Sequence, residues 1–164
     1  MDRFTLECYH RSRWNILRPG CALDWGMEII TLDTARREEF IDITSELREL
    51  IRSRGWDRSA RHAVLHLWCF HTTAGLTVNE NADPDVQRDM LLAMSAIVPE
   101  DLDYRHAEGN STAHVKSSLF GCSLSLPLVQ GELKLGRWQG VYFCEFDGPR
   151  RGRQVGVQLI SSST

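Results

Sequence analysis

At 164 residues, with 42% hydrophobic and 25% charged side chains, the chain has the size and composition of one globular domain that needs no covalent staples. A net charge of −3 argues against the basic stripe of an obligate nucleic-acid binder, and no run approaches the roughly 20 apolar residues of a membrane span. Five cysteines without a CxxC pair exclude a zinc ribbon, and free thiols without a secretory h-region point to a cytoplasmic protein.

Residues 1–26 have no clear period and carry the turn signal Pro19-Gly20. They read as an N-terminal arm, or as a start upstream of a true initiator at Met27, ahead of a single domain over 27–164. Glu28–Leu32 and Glu39–Ile43 are short β-rich runs. Thr44 can cap a helix in which Ile43, Leu47, Leu50 and Ile51 recur at helical spacing, and Gly55 ends it. His62–Phe70 reads as a strand covered on both faces, because Val64, Trp68 and Phe70 alternate with Leu65, Leu67 and Cys69. His62 and His66 are assigned to structure. Asp83-Pro84 starts a second helix, with Asp83 as cap and Pro84 in the first position; Met90, Leu91, Met94 and Ile97 line it before Pro99. Closely spaced β signals follow at 123–129, 133–135, 138–146 and 154–160, with a frayed tail at 161–164. The pattern predicts an α+β fold of about seven strands with two helices.

Three polar runs interrupt this frame: His71 to Asp85, His106 to Lys116, and Trp138 to Arg150. Their separation by hydrophobic segments suggests one site assembled from distant pieces of chain. His71, His106 and His114 could leave an open fourth position on a zinc ion, or could be ordinary loop or core histidines. Glu108, two residues from His106, could ligate the ion, orient a ligand or act as a general base. Asn79 and Glu80 could meet a substrate, whereas Asn81 and Asp83 can simply form the turn before the helix. Lys116, Ser117 and Ser118 form a phosphate grip or a solvated lysine beside turn serines. Glu145 and Asp147 could hold Mg²⁺ for a pyrophosphate substrate, or Asp147 could pair locally with Arg150. Trp138-Gln139-Gly140 is a stacking platform or the start of a core strand.

Taken together, the blocks His71 through Val86, His106 through Lys116, and Gly131 through Arg150 resemble the YjbQ family, over about residues 27–160. The resemblance implies a two-sheet sandwich assembled as a homotrimer, and a metal, in the first place zinc, on His71, His106 and His114. It also implies a thiamine-phosphate synthase activity that joins a pyrimidine-methyl pyrophosphate to a thiazole phosphate. On that reading Glu108, Glu80 and Lys116 are catalytic. Thr72, Thr73, Asn79 and Asn110 would then hold the phosphorylated small-molecule substrate, together with Ser117, Trp138, Gln139 and Arg150. A zinc-dependent hydrolase and a non-enzymatic metal- or metabolite-binding trimer are the alternatives. Arg137 departs from the family pattern, which usually has a small hydroxyl residue before Trp-Gln, and residues 1–26 have no counterpart.

Overall fold

The computed structural model describes residues 26–59 and 62–161. The expected N-terminal arm, apart from Gly26, and the last three residues of the expected tail lie outside them.

Among the described residues, eight antiparallel strands form two sheets. One has five strands in the order β1 (Met27–Leu32), β8 (Arg153–Ile160), β3 (His62–Cys69), β5 (Ser123–Val129) and β6 (Glu132–Leu133). The other has three, in the order β2 (Glu39–Asp42), β7 (Gln139–Glu145) and β4 (Ala74–Glu80). The described residues also form four helices: α1 (Thr44–Ser53), α2 (Trp56–Ser59), α3 (Pro84–Ile97) and α4 (Ser111–Phe120). The α+β class is as the sequence pattern predicts, and the two packed sheets are as the family resemblance implies.

Strand alternation produces the layers. Leu65, Leu67, Val155 and Val157 of the larger sheet are buried against Leu76, Val141 and Phe143 of the smaller one, with Leu47 and Ile51 of α1 closing the core. Each such side chain contributes about 1.5–3 kcal/mol by leaving water. The opposite face of the small sheet presents Tyr142, Cys144 and Phe146, and Ala113 and Phe120 of α4 cover it. Close approach of α4 depends on Gly75: a Cβ there would lie 2.9 Å from the Phe120 Cβ and 3.0 Å from the Gly121 oxygen.

Three local expectations change. The strand at His62–Cys69 is covered on one face only, since Val64 and Trp68, and Phe70 just beyond the strand, are exposed while Leu65, Leu67 and Cys69 are buried. Thr44 does not cap α1. Ile43 is the N-cap residue, and the Thr44 hydroxyl instead accepts from the Val141 N–H at 2.8 Å, tying the helix to β7. The polar run after His71 contains β4, and the run after His106 contains α4; neither has the apolar period from which an element is read. The start of α3 is as expected, with the Asp83 carboxylate accepting from the Asp85 N–H at 2.9 Å and Pro84 in the first turn.

Candidate functional site

The structure joins the three polar runs, but at one end of the small sheet only. There β4 begins at Ala74 opposite Glu145, the last residue of β7. The His71–Thr73 turn leads into β4, and the loop from Phe146 to Gly152 leads out of β7. The first and second runs meet where His114 Nδ1 lies 3.1 Å from the Thr72 carbonyl oxygen. The second and third meet where the Asn110 amide donates to Asp147 at 3.2 Å. His106 and His114 face each other edge-on with ring centroids 5.3 Å apart, and the Glu108 carboxylate is 3.8 Å from His106.

Beneath this cluster, a buried ion pair plugs the end of the sandwich. Glu145 and Arg153 both take inward positions in their strands, where the neighbouring residues are valine or phenylalanine. Arg153 donates two bonds of 2.6 Å to the two oxygens of Glu145, and a third of 3.1 Å to the Thr73 hydroxyl. Thr34 and the N–H groups of Phe146 and Asp147 complete the carboxylate's partners. Such a fully bonded charge can stay buried; a half-bonded one would not. Arg153 and Glu38 are the functional-end residues that sequence reasoning missed. A lone arginine at an inward strand position was the available signal for the first.

Several expected roles give way. Lys116 is 1% exposed and its ammonium is 2.6 Å from Glu38, so it anchors α4 to the 33–38 segment and is not a phosphate grip. The Ser117 hydroxyl donates to the Ala74 carbonyl at 2.7 Å and is equally committed. Glu145 cannot share a magnesium ion with Asp147, because Arg153 occupies both its oxygens. Asp147 instead pairs with Arg150 at 2.7 Å, the local alternative. Asn79, Glu80, Trp138 and Gln139 lie at the opposite end of β4 and β7, where Glu80 pairs with Gln139. Six residue steps of about 3.3 Å put them roughly 20 Å from the histidines. There Tyr142 is bonded to Asn81 and Gln87, and Arg137 stacks 4.7 Å over the Trp138 ring.

The fit of a metal fails on the same geometry. Among the described residues, no group of three or more His, Cys, Asp or Glu side chains is placed to hold an ion. His71 Nε2 accepts the Gln154 N–H at 2.7 Å, so the neutral ring carries its proton on Nδ1 and has no free lone pair. Burial, and after it the charge of Arg153, lowers the His71 pKa and keeps the ring neutral.

His114 has the reverse arrangement: the Thr72 carbonyl holds the proton on Nδ1 and leaves the Nε2 lone pair free. The Asn110 side chain carries a buried Oδ1 without a hydrogen-bond partner. A polar cavity of about 220 Å³ is lined by residues that include Arg37, its ion-pair partner Glu100, Tyr104, His106, Ser111 and Thr112. Asp147 is also tuned: burial raises its carboxyl, but the bonds from Arg150 and Asn110 outweigh that and hold it below the usual aspartate value.

These features define a small two-sheet α+β protein with a histidine-bearing polar end. Residues 28–162 match the family described as UPF0047 protein YjbQ-like, and the chain belongs to that family. It is 47% identical to UPF0047 protein YugU of Bacillus subtilis over 126 residues, covering 76% of this chain and 92% of that protein. It is 39% identical to UPF0047 protein YjbQ of Salmonella typhimurium over 133 residues, 77% and 94% of the two chains. Among solved structures, an uncharacterized YjbQ/UPF0047-family protein of Clostridium acetobutylicum superposes with a TM-score of 0.75 at 46% identity, over 81% of this chain and 99% of that one. A Sulfolobus solfataricus protein described as of unknown function gives 0.76 at 25% identity, over 83% and 96%. These relatives carry no activity in their names. With no three ligand side chains grouped to hold an ion among the described residues, the expected thiamine-phosphate synthase, the zinc hydrolase and the metal-binding trimer are all set aside.

Proposed function

We propose that the protein binds a small polar metabolite bearing an anionic group at the His106–His114 end and moves a proton on it. The observation that carries this reading is the fixed tautomer of His114, whose Nδ1–H is held by Thr72 while Nε2 is left as a base. His106, with Glu108 beside it, is the second proton carrier. Arg37 and Arg150, which pair with Glu100 at 3.0 Å and with Asp147 at 2.7 Å, would turn to the anionic group, and the first turn of α4 adds positive charge.

The test is a thermal-shift screen of small phosphorylated and carboxylated metabolites, followed by calorimetric titration of the hits. Saturable binding that drops at least tenfold in both His114→Ala and Arg150→Ala, with circular dichroism unchanged, supports the reading. Absence of any saturable ligand, or binding indifferent to both substitutions, overturns it.

No helix among the described residues is long and apolar enough to cross a membrane. The free thiols of Cys69, Cys122 and Cys144 support a cytoplasmic setting. Self-association, as the trimer that the family resemblance implies, has a candidate contact face in α3, which has no buried residue and exposes Leu92 and Ile97. A monomer mass by light scattering at micromolar concentration would reject it.

A further inference from the structure

We propose that Cys69 and Cys122 form an oxidation site that a hydroperoxide closes to a disulfide. The β3–β5 register runs from His62 opposite Val129 to Trp68 opposite Ser123, and its next rung sets Cys69 opposite Cys122. Cys122 lies just before β5, and the Cys69 N–H donates to its carbonyl at 2.7 Å, one of the two bonds of such a rung. Opposed residues at a hydrogen-bonded antiparallel rung have Cα atoms about 5.5 Å apart and side chains on one face. That Cα separation suits a disulfide, but the Cβ atoms of such a rung stand about 5 Å apart, beyond the roughly 3.5–4.5 Å of an unstrained bridge, so closure draws the two strands together and leaves a bond that is easily reduced. Burial pushes the Cys69 thiol up, and neighbouring Cys122 adds a smaller push in the same direction.

Exposure sets the order of events. Cys122 is exposed, whereas Cys69 is 3% exposed and Cys144 is buried. The hydroperoxide therefore meets Cys122 first. Its thiolate sulfur attacks the distal oxygen, the O–O bond breaks, and Cys122 becomes a sulfenic acid as the peroxide leaves as an alcohol, or as water from hydrogen peroxide. The Cys69 sulfur then attacks the Cys122 sulfur, the S–O bond breaks, and hydroxide takes the Cys69 proton to leave as water. Two electrons pass from the thiol pair to the peroxide, and no other reductant is needed. The Cys69 sulfur gives up only weak contacts, 3.6 Å to the Ala74 carbonyl and 3.8 Å to that of His71. Those carbonyls flank the turn that carries His71 and Thr72, so the crosslink couples oxidation to the turn holding His114. The proposal does not depend on the proton-transfer reading.

The experiment treats the reduced full-length protein with one equivalent of hydrogen peroxide, alkylates free thiols, and maps the peptides by mass spectrometry. A Cys8→Ser/Cys21→Ser double variant is run alongside. The expected result in both proteins is a Cys69–Cys122 linked peptide, two hydrogens lighter than the sum of its parts. It is abolished in Cys122→Ser and reversed by dithiothreitol. Recovery of Cys69 in alkylated form while Cys122 appears as a sulfinic or sulfonic acid, or linked to Cys8 or Cys21, overturns the proposal.

Discussion

The Nδ1 of His114 lies 3.1 Å from the carbonyl oxygen of Thr72, so a helix stacked on the outside of the small sheet is latched to the turn that enters that sheet. Two residues distant in sequence thereby share one orientation. The latch exists because α4 can approach β4 without a side chain between them at Gly75.

Gly75→Ala should therefore disturb the site from a distance. The new methyl would press on the Phe120 Cβ and the Gly121 oxygen, neither of which is the end of a flexible side chain. Overpacking of this kind costs about 1–3 kcal/mol. Urea denaturation should show that loss, and the His114 imidazole resonances should shift; an unchanged midpoint and spectrum would refute the packing argument.

Glu145→Ala leaves the Arg153 guanidinium buried with only Thr73 for a partner. Breaking a buried pair on one side costs about 3–5 kcal/mol. Glu145→Gln retains acceptor oxygen and should cost less than the alanine variant. A loss of stability below about 1 kcal/mol in Glu145→Ala, the range of an exposed pair, would show that the plug is not needed.

Glu38→Ala distinguishes an anchoring Lys116 from a ligand-gripping one. With its carboxylate gone, the 1%-exposed ammonium has lost its 2.6 Å partner, and stability should fall by about 3–5 kcal/mol without any ligand present. A variant as stable as the parent would mean that Lys116 is free to serve something else.

His71 predicts a pH dependence. Its folded pKa is lowered, first by burial and then by Arg153, while the unfolded chain titrates near about 6.5. Below that value the unfolded state takes up a proton that the folded state refuses. The stability associated with a neutral His71 is therefore complete above about pH 6.5 and declines as the pH falls through the lower folded value. His71→Gln, which keeps an acceptor for the Gln154 N–H, should flatten this part of the melting-temperature profile. Nuclear magnetic resonance titration gives the direct check, and a His71 midpoint at or above about 6.5 would contradict the assigned hydrogen bond.

Much of the frame was legible because it rests on local rules. Asp83-Pro84 announces α3 through a cap and a fixed φ, and the β-rich run at 138–146 announces β7. The elements that escaped are those whose stability comes from elsewhere. Ala74–Glu80 becomes a strand because β7 supplies a hydrogen-bonding partner along its whole length. Ser111–Phe120 becomes a helix although it lacks a strong apolar face, because Ala113 and Phe120 pack on a sheet and Lys116 finds Glu38.

The same division governs the site. Residue types alone show that three polar runs carry histidines, amides and carboxylates, and their order alone carries the family resemblance. Only the folded arrangement decides that His106 and His114 meet while Asn79, Glu80, Trp138 and Gln139 lie at the far end of the same two strands. It also decides that His71 spends its lone pair on a backbone N–H. Composition records which groups a chain possesses; whether a lone pair, a charge or a hydroxyl remains free depends on which distant backbone and side-chain atoms the sheets bring within about 3 Å of it.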